Sequence, residues 1–197
     1  MATLEFFFDY SSPFAYLGST QARGLAERHG VPLVYKPFFL GGLFRAIGTP
    51  DVPMAVMPDA KRDHARLDLQ RYAALYGADF HWPRGFPIMT VDALRLTTLA
   101  PAEKVPDLVD RIYRLVWVED ALPKADALRT CCEDAGVDPG LVDRVKEPEV
   151  KKAVIDATEE AKARGVFGAP TFFVGDEMFW GQDRVILVDH HLASLAG

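Results

Sequence analysis

Cysteine is nearly absent from this chain. Of 197 residues only Cys131 and Cys132 are cysteines, and they are adjacent. Adjacent cysteines seldom form an unstrained bridge, and there is no C-x-x-C or metal-spaced cysteine set. This excludes thiol–disulfide exchange by the chain's own redox pair. The two are expected to be small apolar fillers in a helix. The five histidines, His29, His64, His81, His190 and His191, form no H-x-x-x-H or H-E-x-x-H pattern, so no metal site is expected. No apolar run is long enough to span a membrane. No positive cluster precedes the apolar N-terminal stretch and no cleavage site follows it, so no signal peptide is expected and the cytoplasm is the expected compartment. A basic excess is also missing. The formal net charge is -6, which disfavours nucleic acid and anionic membranes as partners.

What is present is an ordinary globular composition, 49% hydrophobic and 25% charged. That is enough for a real core in one large domain, or in one domain carrying an insert. The start is the most informative stretch. Leu4 to Phe8 is a stretch apolar but for Glu5, Asp9-Tyr10-Ser11 turns, and Ser12-Pro13 opens a segment with Leu17, Ala22, Leu25 and Ala26 on one face. This reads as strand, sharp turn and helix, with Ser12 as N-cap and Pro13 as the first helical residue. Residues 31–38 read as a second strand, so the opening is β-α-β with a parallel pair. Ligands bind outside the carboxyl ends of such strands, where Ser12 sits. Ser12 therefore has two readings: a helix cap, or a hydroxyl facing a ligand at the positive end of a helix.

Residues 39–60 are rich in Gly and Pro, with one short helical turn at 41–47. Residues 60–76 read as a helix with Ala65, Leu69, Tyr72, Ala73 and Tyr76 on its inner side. Arg62, Asp63 and Arg66 point away, and Gly77 is the stop. After an aromatic loop at 81–87, helices are expected at 91–99, 105–118, 124–135, 138–145 and 149–164. Pro170 to Val174 and Glu177 to Trp180 then form a hairpin about Gly175-Asp176, followed by a closing helix. The ends thus read β-α-β and β-β-α, separated by helices. The predicted fold is α/β, a thioredoxin-like mixed four-stranded sheet with a large all-helical insertion.

Several segments carry a resemblance. They are Phe8 to Leu17, Pro37 to Gly42, the surroundings of Lys61, Asp68 to Arg71, Phe86-Pro87 and, most specifically, Gly165 to Arg184. In these the chain resembles the 2-hydroxychromene-2-carboxylate isomerase family. That family falls within the thioredoxin-fold superfamily of the DsbA oxidoreductases and the kappa-class glutathione transferases. The resemblance implies residues 1–59 and 149–197 as the two parts of a thioredoxin-like domain, with 60–148 as the helical insertion. It further implies a homodimer that uses glutathione as cofactor on a small aromatic carboxylate. The oxidoreductases carry C-x-x-C at the turn, where this chain has Ser12-Pro13-Phe14-Ala15, so the thiol is borrowed. Ser12 becomes the thiol-activating residue, since a hydroxyl donating to sulfur favours the thiolate.

The resemblance assigns further roles. Ala169-Pro170 resembles a cis-proline step whose Ala169 backbone pairs with the cysteinyl part of glutathione; the alternative is an ordinary trans proline opening a strand. Gln182 and Asp183 occupy the positions that hold the γ-glutamyl end, though Asp183 also reads as a plain N-cap. Lys61 is a cation for the glycyl carboxylate or the acidic substrate, or a solvated charge. Phe44, Arg45, Thr49, Trp82 and Phe86 are the substrate-pocket candidates, with simple core packing as the other reading of Trp82. Thr49 departs from an asparagine-containing turn of the family, and it cannot make a two-ended amide contact. The competing readings are a kappa-like glutathione transferase or peroxidase, and a non-catalytic thioredoxin-fold binding module. Glutathione consumption separates the first from an isomerase, and absence of glutathione binding marks the second.

Overall fold

The structure is a computed structural model, and it describes residues 2–195. Its sheet has the order β2-β1-β3-β4, built from β1 (Leu4–Phe8), β2 (Leu33–Pro37), β3 (Thr171–Val174) and β4 (Glu177–Trp180). β1 pairs with β2 in parallel and with β3 antiparallel, and β3 pairs antiparallel with β4. This is the mixed four-stranded sheet read from the two ends of the sequence. β1 is flanked on both sides, and Leu4, Phe6, Phe7 and Phe8 are all buried, which explains why it is apolar at every position but Glu5.

Helix α1 (Pro13–His29) crosses from β1 to β2. It starts where Ser12 leaves the extended region and Pro13 presets φ without losing a bonded N–H. It stops at Gly30, which takes the left-handed conformation at φ 62°, and the Gly30 and Val31 amides close onto Glu27 and Ala26. Its inward face carries Leu17, Ala22 and Leu25, all fully buried. Burying a leucine side chain stabilises by roughly 1.5–3 kcal/mol, so this stripe, more than helix propensity, holds α1 to the sheet.

α2 (Leu40–Ile47) follows β2, and the insert supplies α3 (Asp59–Tyr76), α4 (Val91–Leu99), α5 (Val105–Trp117), α6 (Ala125–Ala135) and α7 (Leu141–Arg144). α8 (Pro148–Ala163) and α9 (Val185–Leu195) complete the chain. The inner side of α3 is as expected, with Leu69 and Ala73 buried and Tyr72 and Tyr76 half-buried. Several helix ends differ by one residue, and two elements differ by more. β2 is confined to 33–37, and the helical turn after it starts one residue early, at Leu40. The helix expected over 138–145 shrinks to 141–144, because the Asp138 side chain accepts from Gly140 N–H at 2.8 Å and makes a local turn. Cys131 and Cys132 are buried in α6, and burial pushes both thiols up to about 11. One apolar core runs from the sheet into the insert. Trp117 of α5 is fully buried and donates its indole N–H to the Tyr10 carbonyl at 2.8 Å.

Candidate active site

The end of β1, the start of α1 and the entry to β3 meet at Ser12, which is 5% exposed. Its Oγ accepts from Ala15 N–H at 3.1 Å and donates to the Ala169 carbonyl at 2.9 Å. The Ala169-Pro170 peptide is cis. Gly181 N–H donates to the Pro170 carbonyl at 3.0 Å, which draws the Gly181-Gln182-Asp183 turn against the same loop. Gly181 has φ 108°, a conformation L side chains rarely take. Tyr76 of α3 donates its hydroxyl to the Gln182 carbonyl at 2.9 Å, and burial pushes its pKa up to about 12, so it stays a neutral donor. Ser12, Ala169, Pro170 and Gln182 are therefore brought together, and Asp183 lies beside them. Gly181 occupies the cap position and Asp183 lies inside the short 3-10 turn. The plain N-cap reading of Asp183 is thus replaced by an ion pair with Arg184.

Among the described residues, no group accepts from the Ala169 or Phe14 amide. The first leaves an extended backbone edge beside Ser12, and the second adds a free donor at the positive end of α1. A peptide-like ligand bearing a thiol fits both. The donor set is neutral and contains no redox group, so it can hold and polarise a sulfur but not oxidise it.

The other candidates stand further out. Phe44 is buried in α2, Thr49 N–H donates to the Phe44 carbonyl at 2.8 Å, and Arg45 is exposed with its Nε donating to Gly41 O at 3.1 Å. Lys61 is exposed in the first turn of α3. No hydrogen bond, ion pair or ring contact among the described residues joins these four to Ser12. Trp82 and Phe86 are half-buried with ring centroids 4.8 Å apart, and both lie against Trp117, at 6.1 and 6.3 Å. The packing reading of Trp82 thus has direct support, and Trp117 links its cluster to Tyr10. A groove of about 510 Å³ lined by Tyr16, Ser19, Arg23 and Asp110 runs along the flank of α1. Another of about 520 Å³, lined by Thr3, Val174 and His191, lies at the opposite end of the sheet. Neither contains Ser12.

Two features of the site escaped sequence reading. The Phe86-Pro87 peptide is also cis, and nothing local distinguishes that Pro from a trans one. Asp9 is fully buried. Its Oδ1 accepts from Ser11 N–H at 2.9 Å and Thr90 O–H at 2.5 Å, and its Oδ2 accepts from Leu40 N–H at 2.9 Å. One carboxyl thereby ties the Ser12 turn, the start of α2 and the segment after Pro87. Burial raises its pKa more than these three donors lower it. The only signal was an acid directly after a buried strand.

This geometry agrees with the comparisons to known proteins. The DSBA-like thioredoxin domain family matches residues 3–193. The 2-hydroxychromene-2-carboxylate isomerase of Sphingobium xenophagum is 32% identical over 193 residues, 96% of this chain and 97% of that protein. Glutathione s-transferase kappa 2 of Caenorhabditis elegans is 27% identical over 212 residues, 96% of this chain and 91% of that protein. A solved structure of a 2-hydroxychromene-2-carboxylate isomerase superposes with a TM-score of 0.86 at 28% identity, covering 98% of this chain and 96% of the other. With a family model over residues 3–193, a relative 32% identical over nearly the full length of both chains and a superposing solved structure, the chain belongs to the 2-hydroxychromene-2-carboxylate isomerase family of DsbA-like thioredoxin-domain proteins.

Proposed function

We propose that this protein is an isomerase of 2-hydroxychromene-2-carboxylate, or of a closely related aromatic oxo acid, that works with glutathione. The observation that carries the reading is Ser12. A hydroxyl stands at the positive end of α1, bonded to the residue before a cis-proline, in a turn without cysteine. When bound, glutathione supplies the sulfur nucleophile that adds reversibly to the conjugated bond and lets it rotate. The chain's part is to hold that thiol ionised. Ser12 turns its proton from the Ala169 carbonyl toward sulfur while its lone pair keeps the Ala15 amide. The Ala169 carbonyl and N–H are then available to a peptide-like ligand, and the Phe14 amide adds positive potential. Gln182 and Asp183 take the γ-glutamyl end, with Asp183 exchanging Arg184 for the ligand's ammonium. Lys61 serves a carboxylate, and Phe44, Arg45, Thr49, Trp82 and Phe86 form the substrate side. The assembly proposed with this reading is a homodimer, and the compartment is the cytoplasm, where glutathione keeps thiols reduced.

The test is Ser12→Ala. Losing one preorganised donor to a developing anion costs about a hundredfold in turnover. The substitution also removes a cap worth about 1 kcal/mol, which a thermal melt reports separately. Unchanged glutathione-dependent turnover in a folded Ser12→Ala protein would sink the assignment. The full-length likeness to the kappa transferase favours a second reading, in which the same thiolate is released as a conjugate. Net consumption of glutathione during turnover selects that reading, and glutathione recovered unchanged selects the isomerase.

A further inference from the structure

An acidic substrate needs a cation, and this chain is short of free ones near the aromatic wall. The formal charge of the whole is -6. On α3, Arg62 is paired with Asp59 at 2.5 Å and Arg71 with Asp68 at 2.8 Å. On α2, Arg45 spends its Nε on Gly41 O and lies over the Phe39 ring at 5.7 Å. Lys61 is exposed, with no ring beneath it among the described residues.

Arg66 differs from all of these. It is exposed, as its place on the outer side of α3 predicts. Its guanidinium also lies 5.1 Å from the centroid of the Trp82 ring, and among the described residues it makes no ion pair. The ring beneath it is anchored. Trp82 packs on Phe86 and Trp117, and Trp117 is bonded to the Tyr10 carbonyl, two residues before Ser12. A guanidinium resting on an indole keeps its fork of donors free while its stem is already partly ordered. It therefore loses less entropy on meeting a carboxylate than a solvated lysine does.

We propose that Arg66, seated on Trp82, is the specificity-determining cation of the site. Its fork takes the carboxylate of the aromatic acid, and the exposed part of the Trp82–Phe86 wall takes the ring. Arg45 and Lys61 are not needed for that contact. This inference rests on the isomerase reading of the Ser12 site, and the experiment separates the two.

Arg66→Gln and Arg66→Lys are compared with wild type on 2-hydroxychromene-2-carboxylate and on its methyl ester, each with saturating glutathione. Direct titration of the free acid into protein without glutathione, followed by tryptophan fluorescence, gives a readout independent of turnover. A charge-assisted contact of about 1.5–3 kcal/mol corresponds to roughly a tenfold to hundredfold rise in KM and Kd for the acid in Arg66→Gln. The ester should be handled alike by wild type and variant, and KM for glutathione should stay within about twofold. Arg66→Lys should recover only part of the affinity, since an ammonium lacks the fork. The side chain sits on the surface of α3, so a matching thermal melt is the control for folding. Equal affinity for the acid in Arg66→Gln overturns the proposal, as does an equal loss on acid and ester. If Ser12→Ala abolishes turnover while Arg66→Gln changes nothing, only the Arg66 assignment falls. A wild type without glutathione-dependent turnover removes the reading beneath it as well.

Discussion

Under the proposed function Ser12 carries two jobs on one hydroxyl without conflict. Capping α1 uses an oxygen lone pair, filled by the Ala15 amide, whereas polarising a thiol uses the proton, which at rest is given to the Ala169 carbonyl. The cap can therefore stay in place while the proton changes partner. Asp9 is the residue with a definite pH consequence. Its carboxyl is fully buried, and burial raises its pKa above the ordinary 3.8. A raised acid favours its protonated form in the folded state. Its contribution to stability is thus fully present below pH 3.8 and is lost as the pH rises through the higher folded-state value. Thr90 can reverse its hydroxyl to accept from the protonated form. Asp9→Asn cannot titrate, so the melting-temperature advantage of wild type over this variant should shrink as pH rises from below 4 toward neutrality. A gap independent of pH would show that Asp9 does not titrate as proposed.

Elements meet at the site because helix α1 approaches β3 closely. A Cβ placed at Gly18 would lie 3.0 Å from Pro170 Cγ and 3.4 Å from Phe172 Cζ. Gly18→Val should overpack this contact and cost about 1–3 kcal/mol, or roughly 2–12 °C in melting temperature for a chain of this size. It should also move Pro170 relative to Ser12 and weaken the proposed glutathione binding. Calorimetry and a binding titration check both, and an unchanged melt would mean that α1 and β3 can part without loss. The elements themselves were largely legible. Ser12-Pro13 and Gly30 bracket α1, the Gly175-Asp176 turn marks the last hairpin, and the α3 inner face follows its period. The segment after Gly136 was overread as a helix because a side-chain bond from Asp138 competes with the backbone there.

The whole molecule is joined by one core. Fully buried residues of the sheet, such as Phe6, Phe8 and Phe172, share it with Leu108, Ile112 and Trp117 of α5. Tyr113 of α5 also donates to the Asp9 carbonyl at 3.3 Å. A helical insert packed this way has no separate interior to keep when the sheet opens. Urea unfolding should therefore be a single transition, coincident by far-ultraviolet circular dichroism and by tryptophan fluorescence. Two of the three tryptophans, Trp82 and Trp117, lie in residues 60–148, so two separated midpoints would mean that the insert unfolds by itself.

The sequence alone determined the strand and helix plan, the serine-proline turn and the missing cysteines. All of these are local: they rest on periodicity, caps, turn dipeptides and residue identity. Only the tertiary structure decided which distant groups meet. It put the Ser12 hydroxyl on the Ala169 carbonyl across 157 residues of chain. It made Asp9 the tie between three segments, locked Trp82 into a cluster with Trp117, and laid Arg66 on Trp82 while Arg62 and Arg71 were spent on aspartates. Helical period tells which side of α3 is apolar, but not which aromatic ring of a distant loop comes to lie beneath one of its arginines. That depends on how the insert packs against the shared core.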